Sequence, residues 1–325
     1  MLRFGTLGAA KITPGALIEP CQKEPNAQVV VVAARDRHRA QSFADEHGIP
    51  NVVNSYQEVI DHPDVNVVYN PLPISHHHEW TIKALRAGKH VLCEKSFANN
   101  AREAREMAAV AEETGLVLMD AFHYRYHPIF IRAKEIYDSG MLGEIHTVDA
   151  CFHISGPKGD DIRLQYETAG GVTMDIGCYP ISWVRHLTGE EPDEVKAEAI
   201  EGPPHVDLML RTELTMPSGV TATTSGDMRD GTKFSAELIV NGSTGKMTCI
   251  NPLVPQMGNR IELTLGGENS TETFDLRPSY SFQLDAFIDA VKHGKPFYTN
   301  PQDAIRQMET IDRCYEAAGL PVRGA

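Results

Sequence analysis

Short runs of β-branched residues alternate with helical patterns through roughly the first 150 residues, and such a chain folds as a parallel sheet wrapped by helices. Residues 2–8 read as a first strand. Thr13-Pro14 then offers an N-cap followed by proline at the first helical position. The run Val29-Val30-Val31-Val32-Ala33-Ala34 is apolar throughout, as a strand covered on both faces must be. A helix is predicted over about 37–47 with Gly48 as its stop, and others over about 75–87 and 99–114 end at Gly88 and Gly115. Strands are predicted at 65–69, 90–93 and 116–122.

The pattern changes near residue 143. A long strand is predicted at about 144–153, and from about 190 to 276 strands alternate with the turn signals Pro217-Ser218-Gly219, Asn241-Gly242 and Gly266-Gly267. That is the signature of an antiparallel sheet built of hairpins. Helices over about 282–292 and 301–318 close the chain. A length of 325 residues exceeds one typical domain. The expected fold class is α/β, with a doubly wound parallel sheet over residues 1–122. An α+β domain over 123–325 follows, with a large open, mainly antiparallel sheet. The last helices are available to pack back on the first domain.

Composition narrows the function. The net charge is −14, from 30 Lys plus Arg against 44 Asp plus Glu, with no basic block, so nucleic acid and anionic membranes are poor partners. A polyanionic cofactor must therefore be held by local positive groups. Cys21, Cys93, Cys151, Cys178, Cys249 and Cys314 form no CxxC pair and read as reduced thiols. Residues 1–10 read as a strand start and not as a secretory leader, and no run has the ~18–20 apolar residues of a membrane span. Cytoplasmic localisation is expected.

The segment Gly5-Thr6-Leu7-Gly8-Ala9-Ala10-Lys11-Ile12 lies at the first strand-to-helix turn. Small residues there let the backbone approach a pyrophosphate at the helix N-terminus. Gly8 keeps the dinucleotide glycine pattern, whereas Ala10 and Thr13 replace later glycines. Gly8, Ala9, Ala10, Lys11 and Ile12 are candidate cofactor contacts. At the end of the second strand an acidic residue would bind the ribose hydroxyls of NAD. Here Arg35 comes first, with Arg37 and Arg39 behind it. Guanidinium groups suit a 2′-phosphate, so NADP is expected over NAD, with Arg35 and Arg39 as contacts.

Three further segments carry chemistry. Asn70-Pro71-Leu72-Pro73 ends one strand at the edge where doubly wound sheets bind ligands. Cys93-Glu94-Lys95-Ser96 ends the next. Asp175-Ile176-Gly177-Cys178-Tyr179 lies in a helical pattern after Gly170-Gly171, which sets Asp175 and Tyr179 on one helix face at i, i+4.

With Ala33-Ala34-Arg35-Asp36 and Ala87-Gly88-Lys89-His90-Val91-Leu92-Cys93-Glu94-Lys95, these segments make the chain resemble the Gfo/Idh/MocA oxidoreductases. It is most similar to their dimeric dihydrodiol dehydrogenase and glucose–fructose oxidoreductase branch. The resemblance implies a Rossmann-type first domain and hydride transfer between NADP(H) and a secondary alcohol or ketone of a sugar, cyclic polyol or dihydrodiol. It implies that Lys95 lies beside the nicotinamide and substrate, that Tyr179 is the acid/base, and that Asp175 bonds the substrate or orients Lys95. A nearby ammonium favours a phenolate and lowers a tyrosine pKa from about 10. It further implies cofactor roles for Asn70, Pro71, Pro73, His77, Glu94 and Lys95. Tyr124, Arg125, Arg163 and Tyr166 become substrate-side candidates. The family's proline after Glu-Lys is Ser96 here, and a Lys95–Ser96 bond is expected to be trans.

His76-His77-His78 has the look of a metal tract, but three consecutive positions do not converge on one ion from a helix face, and no metal is expected. The resemblance also implies a homodimer or higher homo-oligomer through the second-domain sheet, and apolar residues on both faces of about 233–250 fit a covered sheet. Two other readings stay open. One is redox-neutral elimination or epimerisation with tightly bound NAD(P). The other is a non-catalytic dinucleotide-sensing regulator.

Overall fold

The apolar run at residues 29–34 becomes the second strand of a six-stranded parallel sheet. The strands are β1 (Leu2–Leu7), β2 (Ala27–Ala33), β3 (Asn51–Val52), β4 (Val67–Asn70), β5 (His90–Cys93) and β6 (Leu118–Asp120). The structure is a computed structural model, and it describes residues 1–324. The strand order is β3-β2-β1-β4-β5-β6, and every pairing is parallel. Val31, Val32 and Ala33 are fully buried because helices cover the sheet. On one side Val32 packs with Ile18, Ala44 and Ile49. On β1, Phe4 meets Phe287 with ring centroids 5.9 Å apart.

The chain divides into two compact units, Met1–Phe122 with Tyr280–Ile305, and His123–Ser279 with Arg306–Ala325. Most of the helix Ser279–His293 thus belongs with the parallel sheet.

The second unit carries β7 (Ile145–His153), β8 (Glu194–Glu201), β9 (Asp207–Thr215), β10 (Thr221–Asp227), β11 (Ser235–Gly242), β12 (Gly245–Ile250), β13 (Arg260–Leu265) and β14 (Glu268–Glu272). They form one eight-stranded sheet in the order β14-β13-β12-β11-β7-β10-β9-β8. All pairs are antiparallel except β7 with β10. The α/β class, the parallel sheet and the mainly antiparallel second sheet are as the sequence led one to expect.

Three local expectations change. Residues 233–250 are apolar on one face and mixed on the other. Ala236, Leu238, Val240, Met247 and Cys249 are buried, whereas Glu237, Ile239, Asn241, Lys246, Thr248 and Ile250 fill the alternate positions. The helix Cys178–Thr188 packs against β7 and β10, and the period-two pattern marks the more buried face. The turn after β11 is Ser243-Thr244 and not Asn241-Gly242. Gly242 ends the strand, where a Cβ would lie 2.1 Å from the Leu142 carbonyl oxygen, so glycine serves close approach there. Thr13 is no side-chain cap, because its own backbone is already helical at φ −55° and ψ −40°. A π-helical turn, Pro14–Ile18, opens that helix.

Candidate functional site

In the first unit the strand order places the site. The chain leaves β1 toward β2 on one side and β4 lies on the other, so their carboxyl ends flank a crevice where open α/β sheets bind ligands. Gly8 sits at that edge at φ +92°, a conformation that side chains rarely adopt. Its N–H donates to the Ala33 carbonyl at 2.7 Å. Ala9 is buried, Ala10 half-buried, and Lys11 and Ile12 are exposed. Thr13 is fully buried, yet its Oγ1 has no hydrogen-bond partner in the protein. A buried hydroxyl beside a glycine turn, with an uncommitted hydrogen bond, fits the pyrophosphate of a dinucleotide.

The end of β2 discriminates between dinucleotides. Asp36 caps the helix Arg37–His47, its Oδ1 accepting from His38 N–H at 2.7 Å and Arg39 N–H at 3.2 Å. Those amide bonds hold its carboxyl below the usual carboxylate range. A carboxylate engaged with the helix N-terminus is a poor ribose partner. Arg39 Nη2 donates to the Ala9 carbonyl at 2.7 Å, which ties the cation to the glycine turn. Arg37 bonds Asn54 instead. Arg35 is exposed, and it and Arg39 both act electrostatically on Tyr56. The Tyr56 hydroxyl lies 3.9 Å from where a Gly8 Cβ would stand. Positive charge is therefore concentrated beside the turn, against an acidic chain.

The ends of β4 and β5 are braced from behind. Asn70 is fully buried, and its Nδ2 donates to the His77 carbonyl at 3.2 Å and Thr81 Oγ1 at 3.1 Å. Its side chain thus shapes the loop that Pro71 and Pro73 stiffen. His77 is also fully buried, its Nε2 2.8 Å from the Leu72 carbonyl and Nδ1 2.9 Å from the Ser96 carbonyl. Both ring nitrogens thus face backbone carbonyls, which makes His77 a brace between the two loops. The Lys95–Ser96 peptide is cis, not trans as expected. The trans preference is a local one, and here the buried surroundings, His77 on Ser96 among them, decide the isomer. Glu94 is buried, and its Oε1 accepts from the Tyr69 hydroxyl at 2.7 Å. Burial raises both groups, the Tyr69 phenol well above its ordinary value. Lys95 stands half-buried at the edge beyond Glu94.

The His77 clamp makes a prediction. A neutral ring donates to only one of those two carbonyls, so His77→Leu leaves one buried carbonyl without its donor, a cost of about 1–3 kcal/mol, and leaves the packed site imperfectly filled. Both the melting temperature and the affinity for NADPH, followed by fluorescence titration, should fall. An unchanged Tm and affinity would mean that the ring braces nothing. Burial pushes the imidazole down to about 4, below the ~6.5 of an unfolded histidine. The unfolded chain therefore takes up the proton first. This contribution is complete above pH ~6.5 and is lost as the pH falls toward 4.

In the second unit Asp175 and Tyr179 do not simply share a helix face. Thr173–Gly177 is a π-helical turn, and the α-helix begins at Cys178. The wider winding sends the two side chains to different partners. Asp175 Oδ2 accepts from Arg163 Nε at 2.7 Å, and Arg163 Nη1 also reaches both Asp161 oxygens at 3.3 Å. Tyr179 is buried at 6 % exposure, with its hydroxyl 3.2 Å from His123 Nε2. Its ring lies edge-on to Tyr124 and Phe152 at 6.1 and 5.8 Å. The glycine pair holds the preceding turn. A Cβ on Gly170 would lie 2.6–2.7 Å from the carbonyls of Ile162, Arg163 and Gln165.

The other substrate-side candidates divide. Tyr124 is fully buried, its hydroxyl 2.7 Å from Ser182 Oγ and its ring packed edge-on against Phe130 and Trp183, so it is part of the core of this unit. Arg125 is buried and bonds His186 Nδ1 at 2.6 Å, and burial, reinforced by that guanidinium, pushes His186 down to about 2. Tyr166 donates to the Val322 carbonyl at 3.1 Å. Arg163 alone of the four is exposed. Sequence reasoning passed over His123, which bonds the Tyr179 hydroxyl. It lies one residue from Tyr124 in the segment already singled out, but only the fold pairs it across 56 positions. Among the described residues no group of three or more His, Cys, Asp or Glu is arranged to hold a metal ion.

Comparison with known proteins follows the same division. Residues 2–122 match the model of an oxidoreductase family with an NAD-binding Rossmann fold, and residues 130–248 match the GFO/IDH/MocA C-terminal domain. The chain is 34% identical to D-xylose 1-dehydrogenase (NADP(+)) 2 of Haloferax volcanii, over 98% of this chain and 97% of that protein. It is 32% identical to trans-1,2-dihydrobenzene-1,2-diol dehydrogenase of Oryctolagus cuniculus, over 75% of this chain and 74% of the relative. Among solved structures, a 3-ketoreductase from Actinomadura kijaniata in complex with NADP and TDP-benzene superposes with a TM-score of 0.88 at 30% identity, covering 96% of each chain. With both domain models matched in order, and a relative a third identical along nearly the whole length, the chain belongs to the GFO/IDH/MocA family of oxidoreductases.

Proposed function

We propose that this protein is an NADP(H)-dependent oxidoreductase that moves a hydride between the nicotinamide and a secondary alcohol or ketone of a sugar or related cyclic diol. The observation that carries the reading is the buried Tyr179 hydroxyl, bonded to a histidine, in a chain whose other unit presents a dinucleotide crevice. Relatives support the substrate class. They act on D-xylose, on a dTDP-linked dideoxy sugar and on a dihydrobenzene diol, and the xylose enzyme is named for NADP(+).

When bound, the nicotinamide supplies a carbon that takes up or gives back a hydride. The chain's own residues do the rest. Gly8, Ala9, Ala10 and Thr13 receive the pyrophosphate, with Lys11 and Ile12 at the rim. Arg35 and Arg39 take the 2′-phosphate. Asn70, Pro71, Pro73 and Glu94 line the edge near the nicotinamide, braced by His77, and Lys95 supplies positive charge to the substrate oxygen. Tyr179 exchanges the hydroxyl proton, and Asp175 with Arg163 orients the substrate. Carbonyl reduction needs a proton donor at the oxygen as well as a hydride at carbon, and a tyrosine meets that need.

The reading extends to a cytoplasmic protein acting as a homodimer through the second sheet. The face opposite Leu238 and Val240 carries Thr147, Asp149, Cys151, Thr223, Glu237 and Ile239, so a partner there meets a mixed, mainly polar surface. Among the described residues none of the six cysteines is in a disulfide, and no helix is long and apolar enough to cross a membrane.

The test is fluorescence titration with NADPH and NADH, after absorbance has been checked for dinucleotide carried through purification. NADPH should bind more tightly. In Arg35→Asp its affinity should fall about 10- to 100-fold, the loss of one or two charge-assisted hydrogen bonds, while NADH binding is retained. Equal affinities in the native protein, or an unaltered preference in Arg35→Asp, would overturn the cofactor assignment.

A further inference from the structure

A chain of buried hydrogen bonds stands behind Tyr179. His123 is 3 % exposed, and each of its nitrogens has a side-chain partner, Tyr179 Oη at 3.2 Å from Nε2 and Ser279 Oγ at 2.6 Å from Nδ1. Ser279, itself 1 % exposed, continues to the Leu253 carbonyl at 3.3 Å. A carbonyl only accepts, so the single Ser279 hydroxyl hydrogen goes to Leu253. The serine oxygen then accepts from His123 Nδ1–H, and in a neutral ring Nε2 is left as an acceptor. Satisfying all three contacts with a neutral ring thus selects one arrangement, in which the Tyr179 hydroxyl donates to His123 Nε2. Tyr124 and Phe152 lie edge-on to the Tyr179 ring.

We propose that His123 is a positioning residue that holds and returns the proton of Tyr179. The inference rests on the reading of Tyr179 as the acid/base. In the oxidation direction the proton on Tyr179 Oη passes to His123 Nε2, leaving phenolate and imidazolium. The phenolate takes the substrate hydroxyl proton as the carbon's C–H bond breaks and its C=O bond forms. The hydride, with two electrons, goes to the oxidised nicotinamide. The pair ends with one proton more than it began, Tyr179 as phenol and His123 as imidazolium. In reduction the sequence runs backward, and His123 reprotonates Tyr179 after the phenol has given its proton to the carbonyl oxygen. The chain Leu253–Ser279–His123 fixes the tautomer and aims the ring, as a serine protease's carboxylate does for its histidine.

The experiment has two arms on the full-length protein. The first uses no substrate. Histidine side-chain 1H–15N correlation spectra at pH 8.5, assigned with His123→Gln, should report His123 as the Nδ1–H tautomer with a hydrogen-bonded Nε2. The Nε2 shift should move in Tyr179→Phe. An Nε2–H tautomer would overturn the proposal. The second arm follows NADP(+)-linked oxidation of a panel of aldopentoses, aldohexoses and cyclic diols from pH 5 to 10. In His123→Gln and His123→Phe, kcat should fall by about 10²-fold, with NADPH affinity unchanged and the acid limb of the pH profile altered. His123→Phe with the native kcat and profile would overturn the proposal. Ser279→Ala, a milder change, should shift that limb if a His123 variant folds poorly. Tyr179→Phe separates the two ideas. If it is inactive while the His123 variants behave as native, only the relay fails; if it retains full activity, the acid/base reading itself fails. Adding His123→Phe to Tyr179→Phe should cost nothing further, since the two act as one unit.

Discussion

Tyr179→Phe should lower kcat by about 10²- to 10⁴-fold while leaving NADPH affinity and the fold almost unchanged. The substitution removes one oxygen and keeps the ring. The edge-on contacts with Phe152 and Tyr124 therefore persist, while the hydrogen bond to His123 Nε2 is lost. A bond of that kind contributes about 0.5–1.5 kcal/mol, too little to unfold a protein of this size. The dinucleotide residues named above belong to the other unit. Reduction of a carbonyl without a positioned proton donor must draw on water, hence the large expected loss. Steady-state kinetics beside a melting curve decides it. A kcat within about threefold of native, on the scale of such effects, would remove Tyr179 from the chemistry. A large fall in Tm would show that its hydroxyl is structural.

The largest effect on stability is expected at Arg323. Its guanidinium and the Asp207 carboxylate are both fully buried, with Nη2 2.7 Å from Oδ1. Asp207 also accepts from the Tyr315 hydroxyl at 3.1 Å, and its Oδ2 takes Thr173 N–H at 2.8 Å and Thr173 Oγ1 at 2.6 Å. Arg323 in turn donates to the Gly170 carbonyl at 2.9 Å and lies 4.1 Å over the Tyr315 ring. One ion pair thus ties the end of the chain to the Gly170 turn and to the π-helical turn that leads into Tyr179. Arg323→Met leaves Asp207 charged and uncompensated, which costs about 3–5 kcal/mol. For a unit of this size that is on the order of 10 °C in Tm. The double variant Arg323→Met with Asp207→Leu removes both charges and should recover part of the loss. Calorimetry checks both. A single variant that melts with the native protein would mean that the buried carboxylate is compensated elsewhere.

How far the sequence could be read depended on the range of the interaction. Residues 29–34 announced a doubly covered strand because burial on both faces leaves no polar alternation. Gly8 and Arg35 were legible because a strand-to-helix turn and its cofactor edge are local in the chain. Nothing in the neighbourhood of Tyr124 says that its hydroxyl will meet Ser182, 58 positions away. The bracing contacts of His77 were equally out of reach. Its partners, Leu72 and Ser96, belong to two loops that only the sheet brings together.

By itself, therefore, the sequence determined the two kinds of sheet, the dinucleotide turn and the cationic end of β2, all of which follow from periodicity, turn chemistry and charge over a few residues. Tertiary structure alone decided which side chains face a ligand and which are spent inside the protein. It set Asp36 as a helix cap, Tyr124 as core, Asp175 on Arg163 and Tyr179 on His123. The reason is that a hydrogen bond is local in space and not in sequence. A polar side chain's role is fixed only when its partner has been folded to within about 3 Å of it.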